Sequence, residues 1–292
     1  MTGRERSVND RDLLGAMVLL QRYLLEMDEM SASALGDDPT ARVDMRVLLG
    51  IAMGGGASPS SLVRALRMPR STLARALSRL GAAGLVERHA DERDGRRAVL
   101  ALTPSGGLRV ARFERAFAAF LDDGSAVVKE ILLLLGADPE AREGGPRPPT
   151  RELVTRLGAA GAAIAGDIAP LAARYGIREK VDRYAVVYLA QQERRPTQLA
   201  EHLHLTPAGT TSLVDRLEGA GLAERRSGVL ASDRRAVLVR LTPRGRRAVD
   251  DLVALLLPHR ARLVEAFEPT TRGLAPADAS AVTPERLATV AG

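Results

Sequence analysis

Apolar residues recur with a helical period along most of the chain, and two short stretches break that rhythm. "DRDLLGAMVLLQRYLLEMDEM", from Asp10 to Met30, opens on acidic residues and keeps a long helical periodicity, which predicts a helix. "PTARVDMRVLLGIAMGGG" predicts a second helix closed by glycines, and "SPSSLVRALRM" a short third. "PRSTLARALSRLGAAG" predicts a fourth, with Leu73, Leu77 and Leu80 inward and a stop at Gly84. The period then changes. "LVERHA" and "RRAVLALT" are short and β-prone, and the charged run Asp91 to Gly95 between them makes the pair read as a hairpin. "LTP" follows and introduces a long helix from Ser105 to about Ala119, after which Ser125 is placed to cap "SAVVKEILLLLG".

The same succession returns in the second half. "RELVTRLGAAGAAIAGDIAP", "REKVDRYAVVYLAQQER", "RPTQLAEHLHL" and "TPAGTTSLVDRLEGAG" predict four helices, the last with Leu213, Val214 and Leu217 inward and a stop at Gly221. "LAERRS" and "RAVLVRLT" predict a second hairpin. A long helix from Arg244 to about Phe267 follows, kinked at Pro258, and "TPERLATV" predicts a short helix near the end. An offset of 137 matches Leu62 with Leu199, Leu66 with Leu203, Arg79 with Arg216, Gly84 with Gly221 and Arg88 with Arg225. Past a two-residue insertion an offset of 139 matches Asp94 with Asp233, Arg96 with Arg235, Thr103 with Thr242 and Gly106 with Gly245. The chain is therefore read as a duplication. Residues 1–136 form one unit, residues 137–150 a linker within the Pro-, Gly- and charge-dense stretch "GADPEAREGGPRPPT", and residues 151–292 a second unit. The fifteen residues of that stretch reach roughly 50 Å when extended.

Composition adds three constraints. With 292 residues, each half is long enough to bury a core of its own. Cysteine is absent, which excludes disulfides, thiolate metal sites and thiol redox chemistry. No apolar run of membrane length occurs and "MTGRERSVNDRD" lacks the apolar stretch of a signal peptide, so a soluble cytoplasmic protein with no membrane partner is expected. The net charge is +6, and of the 42 basic residues only Lys129 and Lys180 are lysine. Arginine's rigid fork fits phosphates and guanine edges, although genomic codon bias explains such a ratio equally well.

A three-helix unit followed by a two-stranded hairpin is the winged helix-turn-helix. The residues that fill it, "STLARALSRLGAAGLVER" with "DERDGRRAVLALTPSG" and "GTTSLVDRLEGAGLAERR" with "SDRRAVLVRLTPRG", resemble the MarR family of ligand-responsive bacterial transcription regulators. The second copy is the closer match in the fourth helix, the first in the wing. The family usually has one such domain per chain and acts as a homodimer with intertwined first and last helices. The resemblance thus implies a mainly α fold with small β-hairpin wings: two winged helix-turn-helix domains, plus long dimerisation-type helices forming a pseudo-dimer within one chain.

It also implies a double-stranded DNA operator as partner. The first recognition helix offers Arg70, Ser71, Thr72 and Arg75 to the major groove, with Arg79 either touching phosphate or held in an internal ion pair. The second offers Thr206, Pro207, Ala208, Gly209, Thr210, Thr211 and Ser212, with no basic residue before Arg216; this surface either reads thymine methyls and backbone or binds DNA weakly. In the wings the resemblance sends Arg96 and Arg235, each two residues after Asp94 and Asp233, into the minor groove, with an Asp–Arg pair that only ties the hairpin as the alternative; Arg93, Arg97 and Arg234 are further DNA-binding candidates, and Arg88, Arg225 and Arg226 at the hairpin bases are candidates for phosphate. Two residues that charge the first wing, Asp91 and Arg93, give way to Leu230 and Ser232 in the second.

For a small aromatic or amphipathic effector the candidates are Tyr23, Met27, Met45, Met53, Phe113 and Phe117 in the first copy and Tyr175, Tyr184 and Tyr188 in the second, with ordinary core packing as the alternative for the methionines. His89, His202, His204 and His259 show no metal spacing, and no cofactor or metal is expected. The chain lacks GxxxxGK, HExxH and GxSxG, and "MGGGASPS" follows a helix and not a strand, so a catalytic role is not expected. The reading that results is a ligand-responsive repressor on an asymmetric operator, monomeric in solution. The alternative is a ligand-binding or protein-interaction module whose second winged helix no longer binds DNA.

Overall fold

The computed structural model describes residues 8–35, 40–54, 57–66, 68–90, 98–139, 145–227 and 237–272. The first half consists of α1 (Asp10–Leu35), α2 (Ala41–Gly54), α3 (Pro59–Leu66), α4 (Arg70–Ala82), β1 (Val86–Ala90), β2 (Ala98–Leu102), α5 (Pro104–Asp123) and α6 (Ser125–Leu134). The second consists of α7 (Thr150–Arg174), α8 (Lys180–Leu189), α9 (Pro196–Leu203), α10 (Pro207–Gly219), β3 (Ala223–Ser227), β4 (Val237–Leu241), α11 (Pro243–Leu256) and α12 (Arg260–Phe267), with 3₁₀ turns at Leu257–His259 and Glu268–Thr271. The described residues are mainly helical, with two small antiparallel hairpins, β1 with β2 and β3 with β4.

Each hairpin gains a short third rung. Ala57 bridges Leu100, and Arg194 bridges Val239 through a reciprocal pair of backbone bonds of 3.0 and 2.8 Å. The helix before each hairpin stops where glycine takes up a left-handed backbone, Gly84 at φ +66° and Gly221 at φ +67°.

The repeated strings "GL" and "LTP" with a glycine two residues on form one joint. Thr103 donates its backbone N–H to the Leu85 carbonyl and its hydroxyl to the Gly84 carbonyl, while its Oγ1 accepts the Gly106 N–H. Thr242 repeats this with Leu222, Gly221 and Gly245. Threonine therefore caps the fifth helix of each half and ties it to the start of the wing. Gly106 and Gly245 are required by space: a Cβ there would stand 2.1 Å from the Leu85 oxygen and 2.0 Å from the Leu222 oxygen.

Three helical expectations are corrected and a fourth is sharpened. α5 runs to Asp123, beyond Ala119, because Phe117 and Leu121 continue its buried face, and Gly124 ends it against the Tyr23 ring. Gly124 also precedes α6, so Ser125 is its first helical residue and no cap. α7 continues through Pro170 to Arg174: the carbonyl that proline leaves without an N–H belongs to exposed Gly166, while Leu171 and Ala172 bury the next turn. At Pro258 the long last helix is split into α11 and α12 by a 3₁₀ turn. "TPERLATV" lies outside the described residues.

The core crosses between the halves. α1 packs on α5 and α6 of its own half and also on α8 and α11 of the other; α7 packs on α11 and α12 and also on α2 and α5. Tyr23 of α1 is edge-on to Phe267 of α12 at 5.9 Å and tilted against Phe120 at 4.8 Å. At the far end of α1, Asp28 accepts from Lys180 at 2.6 Å and pairs with Arg42 at 2.7 Å, and Glu29 pairs with His204. One helix is thus fastened to both halves.

Candidate nucleic-acid interface

The turn between α9 and α10 is made by His204, whose left-handed backbone (φ 53°) ends α9, and by Thr206, whose Oγ1 accepts the Gly209 N–H and starts α10. Pro207 follows at the first helical position, where no N–H is needed. α4 begins after Pro69, and Met68 is buried beneath that turn.

Helical phase decides which side chains face outward. On α4 the exposed stripe is Arg70, Ser71, Ala74, Arg75 and Ser78. The corresponding stripe on α10 is Pro207, Ala208, Thr211, Ser212 and Asp215. Thr72 and Gly209 are half-buried. Thr210 is corrected outright as a surface residue: it is 2 % exposed, and its hydroxyl donates to the Thr206 carbonyl at 3.1 Å.

The arginines further along these helices are committed within the fold. Arg79 pairs with Asp44 of α2 at 2.5 Å. Arg216 pairs with Asp182 of α8 at 2.6 Å and with Glu179 at 3.2 Å. Asp182 also accepts the Glu179 backbone N–H, so a single buried carboxylate both caps α8 and holds α10 against it. The hydrogen bond to Asp182 strengthens the proton's hold on Arg216 and raises its pKa. Internal pairing, the second of the two roles open to Arg79 in the sequence, is the one realised.

At the hairpin bases the halves differ. Arg225 is held by Asp215 at 2.8 Å and by Glu218, Arg226 lies 3.7 Å from Glu193, and Arg240 is 2.5 Å from Glu224. In the first half Arg88 is exposed on β1, and Ser78 and Gly81 stand where the second half has Asp215 and Glu218. Arg93, Arg96, Arg97, Arg234 and Arg235 lie outside the described residues.

The effector candidates scatter. Tyr23, Met45, Phe113, Phe117 and Tyr184 are buried core, Met27 is half-buried against that core, and Met53 is 47 % exposed. Tyr175 lies at the surface and donates its hydroxyl to Asp251 at 2.8 Å, which raises its pKa. Tyr188 lines a cavity of about 240 Å³ between α1, α8 and α9. Its other walls are Val18, Leu19, Arg22, Gln198, Glu201, His202 and His204. Sequence reasoning missed these because the contact joins a helix of the first half to two of the second. The one available signal was spacing: Val18, Leu19 and Arg22 share a face of α1, and Gln198, Glu201 and His202 a face of α9.

Within this cavity His202 stacks on Tyr188 with centroids 3.6 Å apart and rings 8° from parallel, and the Arg194 guanidinium lies 4.5 Å from the tyrosine ring. Burial raises the Tyr188 pKa. Burial first, then Arg22, Arg194 and His204, press the His202 pKa down from about 6.5 to about 4. Its Nε2 is buried with no hydrogen-bond partner among the described residues. The unfolded chain therefore takes up this proton at a higher pH than the folded one. The stabilisation from a neutral His202 is complete above about pH 6.5 and is lost as the pH falls toward 4. Urea unfolding followed between those values should show a flatter pH dependence for His202→Phe, which keeps the stacked ring; parallel curves for parent and variant would contradict the assignment.

A helix-turn-helix closed by a two-stranded wing is an architecture of DNA-binding proteins. Residues 38–97 match the family model described as MarR family, a stretch that runs from before α2 through α4 to the first wing. Among solved structures, one from work on the regulation of DNA binding of Bordetella bronchiseptica BpsR by 6-hydroxynicotinic acid is similar over 49% of this chain and 90% of that chain, at 20% identity and a TM-score of 0.29. No curated protein matches. Among the described residues no helix is long and apolar enough to cross a membrane.

Proposed function

We propose that the chain is a sequence-specific transcription regulator that binds an operator as a single-chain pseudo-dimer. Residues 1–136 and 151–292 act as two winged-helix units joined by residues 137–150. The observation that carries this reading is the paired crossing of the first helices: α1 against α8 and α11, α7 against α2 and α5. In a two-chain dimer those contacts would lie between subunits. An exposed, arginine-bearing α4 stripe supplies the electrostatic attraction to DNA. The cavity at Tyr188 is the place for a small aromatic or amphipathic effector, because it lies between α1 and α9, and α9 packs directly on the recognition helix α10. Binding there lowers DNA affinity, and DNA lowers effector affinity by the same factor.

A second reading, in which the second unit has lost DNA binding, is favoured by the pairing of Arg225 with Asp215 and Glu218. The test for both is selection of genomic fragments by the intact chain, followed by titration across salt and by sedimentation. Affinity should drop about 10³-fold between about 50 and 200 mM salt if some six phosphates are neutralised, with one chain per particle. Salt-independent binding, or a stable two-chain assembly, would overturn the proposal; a footprint over one half-site alone would favour the second reading.

A further inference from the structure

We propose that the two recognition helices read different base chemistry: α4 donates hydrogen bonds to guanine through Arg70 and Arg75, while α10 selects thymine by its 5-methyl group through the methyl of Thr211. The inference rests on the DNA-binding reading above and adds the bases that each half of the operator presents.

On α10 the hydroxyl protons of Thr210 and Thr211 are already spent. Thr206 uses its oxygen to cap Gly209 at 3.1 Å, Thr210 donates to the Thr206 carbonyl at 3.1 Å, and Thr211 donates to the Pro207 carbonyl at 3.1 Å. Bonding back to the preceding turn fixes the Thr211 rotamer. Its oxygen is turned to the backbone, which leaves the branch methyl as the group that an exposed Thr211 offers outward. Beside it on the stripe stand the Pro207 ring and the Ala208 methyl.

No positive charge projects from this stripe. Its one ionised member, Asp215, pairs with Arg225, which Glu218 also engages, so the trio adds no positive charge. The matching positions on α4 carry Arg70 for Pro207 and Arg75 for Ser212. In the major groove arginine pairs bidentately with guanine O6 and N7, whereas small apolar groups pack on the thymine methyl. The charge difference between the stripes therefore becomes a difference in the bases preferred. It also leaves the second helix with little non-specific attraction of its own, so that its discrimination depends on fit to the methyl.

The experiment enriches duplexes from a random library with the full chain and then remakes the preferred duplex with deoxyuridine in place of thymidine in one half-site at a time. Deoxyuridine lacks only the 5-methyl. The enriched sequence should have unlike halves, guanine in one and thymine in the other. Uracil in the thymine half should weaken binding about fourfold for each methyl lost, the worth of one buried methylene-sized group. Thr211→Ser keeps the hydroxyl that bonds Pro207 but deletes the methyl. It should cost a similar factor on thymine duplexes and nothing further on the uracil duplex, a non-additivity expected only of groups in contact. Two like half-sites, an indifferent uracil duplex, a Thr211→Ser loss equal on both duplexes, or a footprint limited to one half would each overturn the proposal. Failure to enrich any duplex would instead count against the DNA-binding reading.

Discussion

Gly245→Ala is expected to lower the thermal midpoint by about 10 °C or more. The added methyl carbon would stand 2.0 Å from the Leu222 oxygen, a backbone atom fixed by the bond it accepts from Thr242. No side-chain rotation relieves that contact, so the first turn of α11 must lift away from the base of the wing. Lifting loses the Thr242 cap, worth about 1 to 2 kcal/mol, together with the backbone bond to Leu222 and the hydroxyl bond to Gly221, each about 1 kcal/mol. The total is about 4 kcal/mol, and a domain of this size loses about 2 to 4 °C for each of them. Gly106→Ala should behave in the same way, since its carbon would meet the Leu85 oxygen at 2.1 Å. Gly81→Ala is the control: nothing lies within 4 Å of the new methyl, and alanine is favoured in a helix interior. Calorimetry of the three variants checks the argument, and a Gly245→Ala midpoint within 2 or 3 °C of the control would refute it.

Replacing Arg70 and Arg75 together by alanine should cost the chain about thirtyfold or more in affinity for its preferred duplex. Each bidentate pair with guanine is worth about 1 to 3 kcal/mol of discrimination, and both side chains are exposed on α4 with room to reach a groove. Thermal stability should not change, because neither residue belongs to the buried face of Leu73, Ala76, Leu77 and Leu80. The equivalent double change at Pro207 and Ser212 should alter affinity less than about threefold. Fluorescence anisotropy with labelled duplex measures both, and equal losses at the two helices would mean that the halves contribute alike.

What was legible in the chain was local. Two copies of the same glycine, threonine and proline spacing predict both wings and both helix starts, because a left-handed glycine and a side-chain cap are set by neighbours a few residues away. The inward set Leu73, Leu77, Leu80 predicts the orientation of α4. It also contained the answer for Thr210, which the offset of 137 places on Leu73 and therefore inside. What was not legible was anything joining distant segments. Nothing near Arg216 in the sequence points to Asp182, and nothing near Arg22 points to His202, since those pairings follow from how α1, α8 and α9 meet. Arg194 is a further case: its charge suggests the surface, yet it is 1 % exposed, with its backbone in the wing's third rung and its guanidinium beside Tyr188.

The crossing of α1 has a consequence for how the chain is made. Residues 10–35 leave the ribosome well before α8, α11 and α12, yet this helix packs on α8 and α11, and its Tyr23 ring meets Phe267 of α12. Until then α1 can pack only on its own half, chiefly α5 and α6, and the rest of its apolar side stays uncovered, because contacts separated by more than two hundred residues form slowly. Products cut short in the second half should therefore aggregate or bind chaperones, whereas the finished chain gains its last large contact in a single late step.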